Sequence, residues 1–307
     1  MEEKIICRVL TGPTASGKTD LSLELAEKHG WEICCMDSMQ IYRGMDIGTA
    51  KPTPEERARV PHHLLDLLDP AESFSVSDYV ALAEEIIRRK HAEGKELLFV
   101  GGTGLYLQAL IRPLGMGAVP ADEPLRAALN ALAGSPGGRE KLDRMLREVD
   151  PDTADRLPLN DVRRRIRAIE VSRNTGIPFS RQPDRAGASP FRWRIAAAEM
   201  PRETLYERIN RRAEEMMRRG LMEEVRGLLD RGLSPQAQSM QAIGYKETVR
   251  CLSGEWSLEK TIEEIQKGTR HYAKRQMTFL RRMEEVRYYE ALSPDGAAQA
   301  EKILAGE

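Results

Sequence analysis

The sequence predicts an α/β fold, a parallel sheet flanked by helices and interrupted by an all-helical insertion, from three observations. Short apolar runs alternate with amphipathic helical stretches as far as Val100. A glycine-rich turn joins the first run to the first helix. From Gly115 the strand signals stop and helical periodicity continues alone, until strand-like sequence returns at Phe191.

Each element has its own reason. "IICRVL" (Ile5–Leu10) is short, apolar and bounded, as a buried parallel strand is. "KTDLSLELAEKHG" sets Leu21, Leu25 and Ala26 near one helical face and ends at Gly30, a natural stop. "WEICCM" is a second buried-strand candidate, and its adjacent Cys34 and Cys35 read as small buried hydrophobes. "VSDYVALAEEIIRRKHAEG" spaces Tyr79, Leu82, Ala83, Ile86 and Ile87 as one helical face, and "KELLFV" follows as a third strand. Residues 115–187 read as the inserted helical domain, leaving 1–114 and 188–307 as the core. "FRWRIAAAEM" is the returning strand. Two long helical stretches, Arg202 to Gly232 and Ser257 to Met283, precede a last strand in "VRYYEAL" and a C-terminal helix.

Composition narrows the class. No window approaches about 18 consecutive apolar residues, so no membrane span is expected. The acidic "MEEKIICRV" enters a strand directly, unlike a signal peptide. The cysteines Cys7, Cys34, Cys35 and Cys251 lack metal spacing, so reduced thiols and a cytoplasmic monomer are expected. With a net charge of −1, any nucleic-acid surface must be a local patch.

The glycine-rich turn carries the chemistry. Gly12, Pro13, Thr14, Ala15, Ser16, Gly17, Lys18 and Thr19 read "GPTASGKT" and fit G-x-x-x-x-G-K-[ST] between a strand and a helix, the context that pattern needs. Glycines let backbone N–H groups close around phosphate oxygens, and the helix N-terminus adds its positive end. Lys18 supplies a charge, and Thr19 can hold Mg²⁺ through its hydroxyl. The expected core is therefore a P-loop NTPase-like sheet.

Which bond breaks is a separate matter. A kinase or ATPase of this fold usually places an acid at the tip of an apolar strand to complete its metal site. Here the third strand ends in Gly101-Gly102-Thr103, and the acid, Asp37, follows the second. Asp37 reads as a proton acceptor or metal-linked group, or as a simple turn cap. Thr103 reads equally as a site hydroxyl or a helix cap. The constellation lacks a device for γ-phosphoryl transfer and suits a reaction in which diphosphate leaves while a neutral nucleophile loses a proton.

The segments "GPTASGKT", "DSMQIYRGMDIGTAKP", "PHHLLD", "GGTGLY", "NDVRRRIRAIE", "AIGYKE" and "TRHYAKRQMTFLRR" occur in the order found in the tRNA dimethylallyltransferases (tRNA isopentenyltransferases), and the chain resembles that family from Gly12 to about Arg282. The resemblance implies transfer of a dimethylallyl group from dimethylallyl diphosphate to the exocyclic amine of the adenine 3′ of the anticodon. The loop then holds the leaving diphosphate with Mg²⁺, and a carbon–oxygen bond breaks. Asp37 would accept the amine's proton, Thr103 would meet the target nucleotide, and Arg212 would meet the diphosphate. By its residues alone, Arg212 reads as one charge on an exposed helix face.

A tRNA partner also has support in the charge pattern. Six Lys or Arg and no acid lie between Ile265 and Met283, interleaved with Tyr272 and Phe279. Four arginines fall within the five residues Arg163 to Arg167. Either cluster alone reads also as a solvated helix; two in a near-neutral chain favour nucleic acid. The resemblance assigns contacts with the anticodon stem-loop to Asp37, Ser38, Met39 and Gln40, to Thr103 and Arg126, and to Arg163, Arg164, Arg165, Ile166 and Arg167. It assigns others to Gln241, Ala242, Ile243, Gly244, Tyr245 and Lys246. A last group is Lys274, Arg275, Gln276, Met277, Thr278, Phe279, Leu280 and Arg281. Many relatives have Trp where this chain has Phe279. The Cys/His zinc module of eukaryotic relatives is absent, so the bacterial type is expected.

Three other readings compete. A phosphate-loop kinase of a small metabolite leaves the basic helices unexplained. A nucleotide-regulated RNA binder leaves Asp37 and Thr103 without roles. An adenylate isopentenyltransferase would act on free nucleotide and need no helical insertion.

Overall fold

The computed structural model describes residues 4–112, 119, 121–182 and 189–307. It divides into two compact units, Met1–Ile111 with Ser189–Glu307, and Arg112–Ala188. The boundaries expected at 114/115 and 187/188 from sequence lie outside the described residues.

In the first unit β1 (Ile6–Thr11) leads through α1 (Lys18–His29) to β2 (Glu32–Cys35). A long connection holds α2 (Pro54–Arg59) and the two-residue β3 (His62–His63), followed by α3 (Val76–Ala92), β4 (Leu97–Val100) and α4 (Gly104–Ile111). In the second unit α5 (Glu123–Gly134), α6 (Gly138–Val149), α7 (Pro151–Arg156) and α8 (Val162–Thr175) pack around Leu129, Leu142, Leu146, Ile166 and Ile169. The chain re-enters the first unit with β5 (Arg192–Glu199), α9 (Arg202–Arg218), α10 (Leu221–Asp230), α11 (Tyr245–Leu252), α12 (Leu258–Leu280), β6 (Val286–Glu290) and α13 (Gly296–Ala305).

The sheet runs β3-β2-β4-β1-β5-β6, every pair parallel. Period-2 alternation splits the strands other than β3 between two cores. Cys7, Val9, Leu97, Phe99, Ile195 and Ala197 face the α3–α4 side, while Leu10, Leu98, Ala196 and Ala198 face α1 and α13. Both faces are covered, which is why these strands read as unbroken apolar runs. The chain leaves β1 for β2 and later fills the gap between them with β4. The tips of β1, β2 and β4 thus border the crevice where open α/β sheets bind ligands.

A third core fixes the β2–α3 connection. Ile41, Tyr42 and Met45 pack against Leu221, Val225, Met240 and Tyr245. The Lys51 ammonium, fully enclosed, donates to the Tyr42 carbonyl and to Asp46 and Asp66 at 2.6–2.7 Å. The Glu224 carboxylate accepts the backbone N–H groups of Asp46, Ile47 and Gly48 and the Tyr245 hydroxyl.

Candidate active site

The phosphate loop grips its own strand first. Gly12 has φ +133°, and a Cβ there would stand 2.8 Å from the Ala198 Cβ on β5, so only glycine fits. Lys18 opens α1, and its Nζ donates to the carbonyls of Gly12 (3.1 Å) and Pro13 (2.7 Å) and to the Ser16 hydroxyl (3.3 Å). Burial, with Arg212 adding repulsion, lowers the Lys18 ammonium to about 7, while Asp37 pulls the other way.

Asp37 stands just beyond β2, half-buried. Its Oδ1 accepts the Met39 N–H at 2.9 Å, so the turn role allowed by the sequence is real for one oxygen. Burial raises its carboxyl above the usual range, outweighing the N–H groups of Met39 and Gln40 and the charges of Lys18 and Arg212. A carboxylate raised in this way is a better proton acceptor near neutral pH.

Thr103 follows β4. Its carbonyl starts α4 by accepting from Tyr106 and Leu107, but its hydroxyl accepts the Ser38 N–H at 3.1 Å instead of capping the helix. Arg212 is half-buried on α9 and close enough to Lys18 and Asp37 for its charge to act on both; burial lowers its own pKa. Local reading made it an exposed surface charge, and the packing of α9 corrects that. Arg208, one turn earlier on the same face, was missed. Its NH1 lies 3.9 Å from where a Cβ on Gly17 would stand.

The loop, one carboxylate, one hydroxyl and two buried-side cations therefore converge on the crevice between β1, β4 and β2. The IPP transferase family model matches residues 40–283. The chain belongs to the IPP transferase family. A tRNA dimethylallyltransferase of Geobacillus thermodenitrificans is 46% identical over 306 residues, covering 99% of this chain and 96% of the relative. The crystal structure of a full-length tRNA isopentenylpyrophosphate transferase from Bacillus halodurans has 40% identity and a TM-score of 0.72, covering 99% of this chain and 95% of that one. A eukaryotic dimethylallyltransferase acting on tRNA superposes with a TM-score of 0.82 at 27% identity, covering 97% and 78%.

Apart from Asp37, Ser38 and Thr103 at the crevice and half-buried Met39, which packs on the third core, the residues this family resemblance assigned to tRNA fall into two groups. Arg163, Arg164, Gln241, Lys246, Lys274, Arg275, Thr278 and Arg281 are exposed, with Arg281 also paired to Glu199 at 3.0 Å. Others work inside the protein. The Arg165 guanidinium is buried on Asp143 and the carbonyls of Pro158, Ala154 and Leu157, and Ile166 lies in the helical core. Arg126 and Arg167 both bind the buried Glu170. Gln40 braces the carbonyls of Thr49 and Ala50, Gly244 and Tyr245 are buried, and Ala242 and Ile243 pack beside them. Leu280 is core, Met277 is half-buried, and the Phe279 ring lies where a Cβ on Gly104 would be, 2.5 Å from its Cδ1. Gln276 is buried between the phosphate loop and Gly102.

Proposed function

We infer that this chain is a tRNA dimethylallyltransferase that moves a dimethylallyl group from its diphosphate to the exocyclic amine of the adenine 3′ of the anticodon. The observation that supports this best is the position of Asp37. It is a half-buried carboxylate just past the tip of β2, close enough to the phosphate-loop lysine and Arg212 to feel both charges and next to Ser38, whose N–H donates to the Thr103 hydroxyl, while β4 ends without an acid. That suits removal of a proton from an amine more than γ-phosphoryl transfer.

The chain's residues divide the reaction between them. Backbone N–H groups of residues 15–19 with Lys18, Arg212 and Arg208 receive the charge that develops on the diphosphate as the allylic carbon–oxygen bond breaks and its electron pair leaves with oxygen. The amine nitrogen forms the new bond to that carbon, and its proton passes to a carboxylate oxygen of Asp37. Thr103 and Ser38 hold the nucleotide side of the crevice. The donor set also fits Mg²⁺, which prefers a few protein oxygens plus phosphates and water: the Thr19 hydroxyl would hold it, and its charge would stabilise the leaving group. The target base must leave its stack to reach this site. Exposed Arg163, Arg164, Lys274 and Arg275 would meet the tRNA backbone. Among the described residues no helix is long and apolar enough to cross a membrane. The cysteines are free thiols, as in a reducing compartment, and a cytoplasmic monomer belongs to this proposal.

Labelled dimethylallyl diphosphate offered with tRNA, with AMP or alone tests this reading. Label is expected in tRNA only. Label in AMP would make the chain an adenylate prenyltransferase, and phosphoryl transfer from ATP to a small acceptor, with ADP formed, would make it a kinase.

A further inference from the structure

Resting on the activity just proposed, we propose that Gln276 is a positioning residue for the transfer: its carboxamide locks the phosphate loop to the Gly101-Gly102-Thr103 turn and so sets the distance between leaving group and acceptor. Its Oε1 accepts the Thr14 N–H at 2.9 Å, and its Nε2 donates to the Gly102 carbonyl at 2.8 Å. Both ends of the amide are used, and the residue is 6% exposed, so little of it is left for RNA. The fit is close: a Cβ on Gly102 would stand 2.1 Å from the Gln276 Nε2 and 3.3 Å from the Gly12 carbonyl oxygen. Glycine at 102 is what lets the amide reach both loops.

The clamp is mounted on a rigid part. Helix α12 is joined to α9, the helix of Arg212, by Arg270 NH1 donating to Asn210 Oδ1 at 2.6 Å and by Gln266 Nε2 reaching the Asn210 carbonyl at 3.3 Å. One turn before Gln276, the Tyr272 hydroxyl lies close enough to Thr103 and Gln276 for both to act on it, although burial raises its pKa overall. The inner face of α12 therefore fixes the phosphate loop, the β4 turn and the Arg212 helix together. Its outer face presents Lys274, Arg275 and Thr278. Misplacing reacting groups by about 1 Å can cost about 10²-fold in rate, which is the scale on which such a clamp acts.

Two variants test this. Gln276→Met keeps length and bulk but loses both hydrogen bonds. Gln276→Glu keeps the acceptor for Thr14 and turns an oxygen toward the Gly102 carbonyl, where only the protonated acid can donate. Single-turnover prenylation at saturating tRNA and dimethylallyl diphosphate is expected to fall about 10- to 100-fold in the Met variant, with tRNA affinity changed less than about threefold. The Glu variant is expected to regain rate relative to wild type as pH falls from about 8 to 6, a recovery that a space-filling role would not produce. A Met variant with the wild-type single-turnover rate overturns the proposal, as does lost tRNA affinity with unchanged rate. If the Met variant does not fold, a pH-independent ratio of Glu variant to wild type does the same. The wild-type rate in this assay tests the activity itself, so the two failures are distinguishable.

Discussion

The Ser38 N–H donates to the Thr103 hydroxyl at 3.1 Å, joining the tips of β2 and β4 through a side chain instead of a ladder bond. The strands themselves pair only as far as Cys35 and Val100, with Met36 N reaching the Val100 carbonyl at 2.7 Å. Beyond that point Gly101 passes tight against the Met36 carbonyl, which also accepts the Thr103 N–H at 3.3 Å. The Ser38–Thr103 bond holds Asp37 at a fixed height on the rim of the crevice.

Removing that bond separates shape from hydrogen bonding. Thr103→Ser keeps the acceptor and is expected to retain most activity. Thr103→Val keeps the bulk but leaves the Ser38 N–H unpartnered, a loss of about 1–3 kcal/mol where the group is shielded from water. Its single-turnover rate is expected to fall about 10-fold or more. Equal rates for Val and wild type would remove Thr103 from the site.

Lys18 gives a proton signature. Burial and Arg212 hold its ammonium at about 7, so it is partly neutral in the free protein at pH 7–8. A bound diphosphate favours the charged form and raises that value. Diphosphate binding is therefore expected to take up a fraction of a proton at pH 7–9, and affinity should weaken as pH rises through this window. Calorimetry in buffers of different ionisation enthalpy measures the uptake. Lys18→Met should remove it relative to wild type, and identical proton counts in the two proteins would refute the assignment.

The arginine run separates into structural and binding members. Arg165→Met leaves Asp143 and three carbonyls without their buried partner and is expected to destabilise the protein by on the order of 3 kcal/mol. Arg163→Ala with Arg164→Ala should leave the melting temperature nearly unchanged, since both side chains are exposed. That pair should instead reduce the log–log salt slope of tRNA binding by roughly one to two. A flat melting response to Arg165→Met, or an unaltered salt slope in the double variant, would reverse these roles.

The difference between Arg165 and its neighbours shows where sequence reading stops. Strands β1, β2, β4 and β5 were legible because parallel strands covered on both faces are largely apolar runs, whereas the edge strand β6, "VRYYE" with Arg287 and Glu290 exposed, was legible from its valine and tyrosine pair. The pair His62–His63 has no such pattern, and its pairing with β2 depends on neighbours. The stretch from Arg202 to Gly232 read only as a long helical stretch, and Gly220 at φ +100° divides it into α9 and α10. At the site, glycine spacing and strand context made the phosphate loop legible. Nothing local in "RINRR" separates Arg212 from Arg211; only the packing of α9 turns one inward and leaves the other exposed. Gln276 was legible only as part of a basic segment, because its partners are 262 and 174 residues away.

Asp37 ties stability to chemistry. Its carboxyl pKa is raised in the folded protein by burial, so folding favours the protonated form. The associated stability is present in full below the unfolded pKa, about 3.9, and is lost as pH rises through the higher folded value. Once ionised, the carboxylate is therefore a cost to the fold, kept for its basicity. Asp37→Asn removes the ionisation and retains an oxygen for the Met39 N–H. Its melting temperature at pH 7–8 is expected to equal or exceed that of wild type, with single-turnover prenylation down by ~10²-fold or more. The wild-type rate itself should rise with pH through the raised pKa and then level off. A turn-capping role predicts nearly normal chemistry in the Asn variant and no acid limb tied to this carboxyl, and that pair of results would remove Asp37 as the proton acceptor.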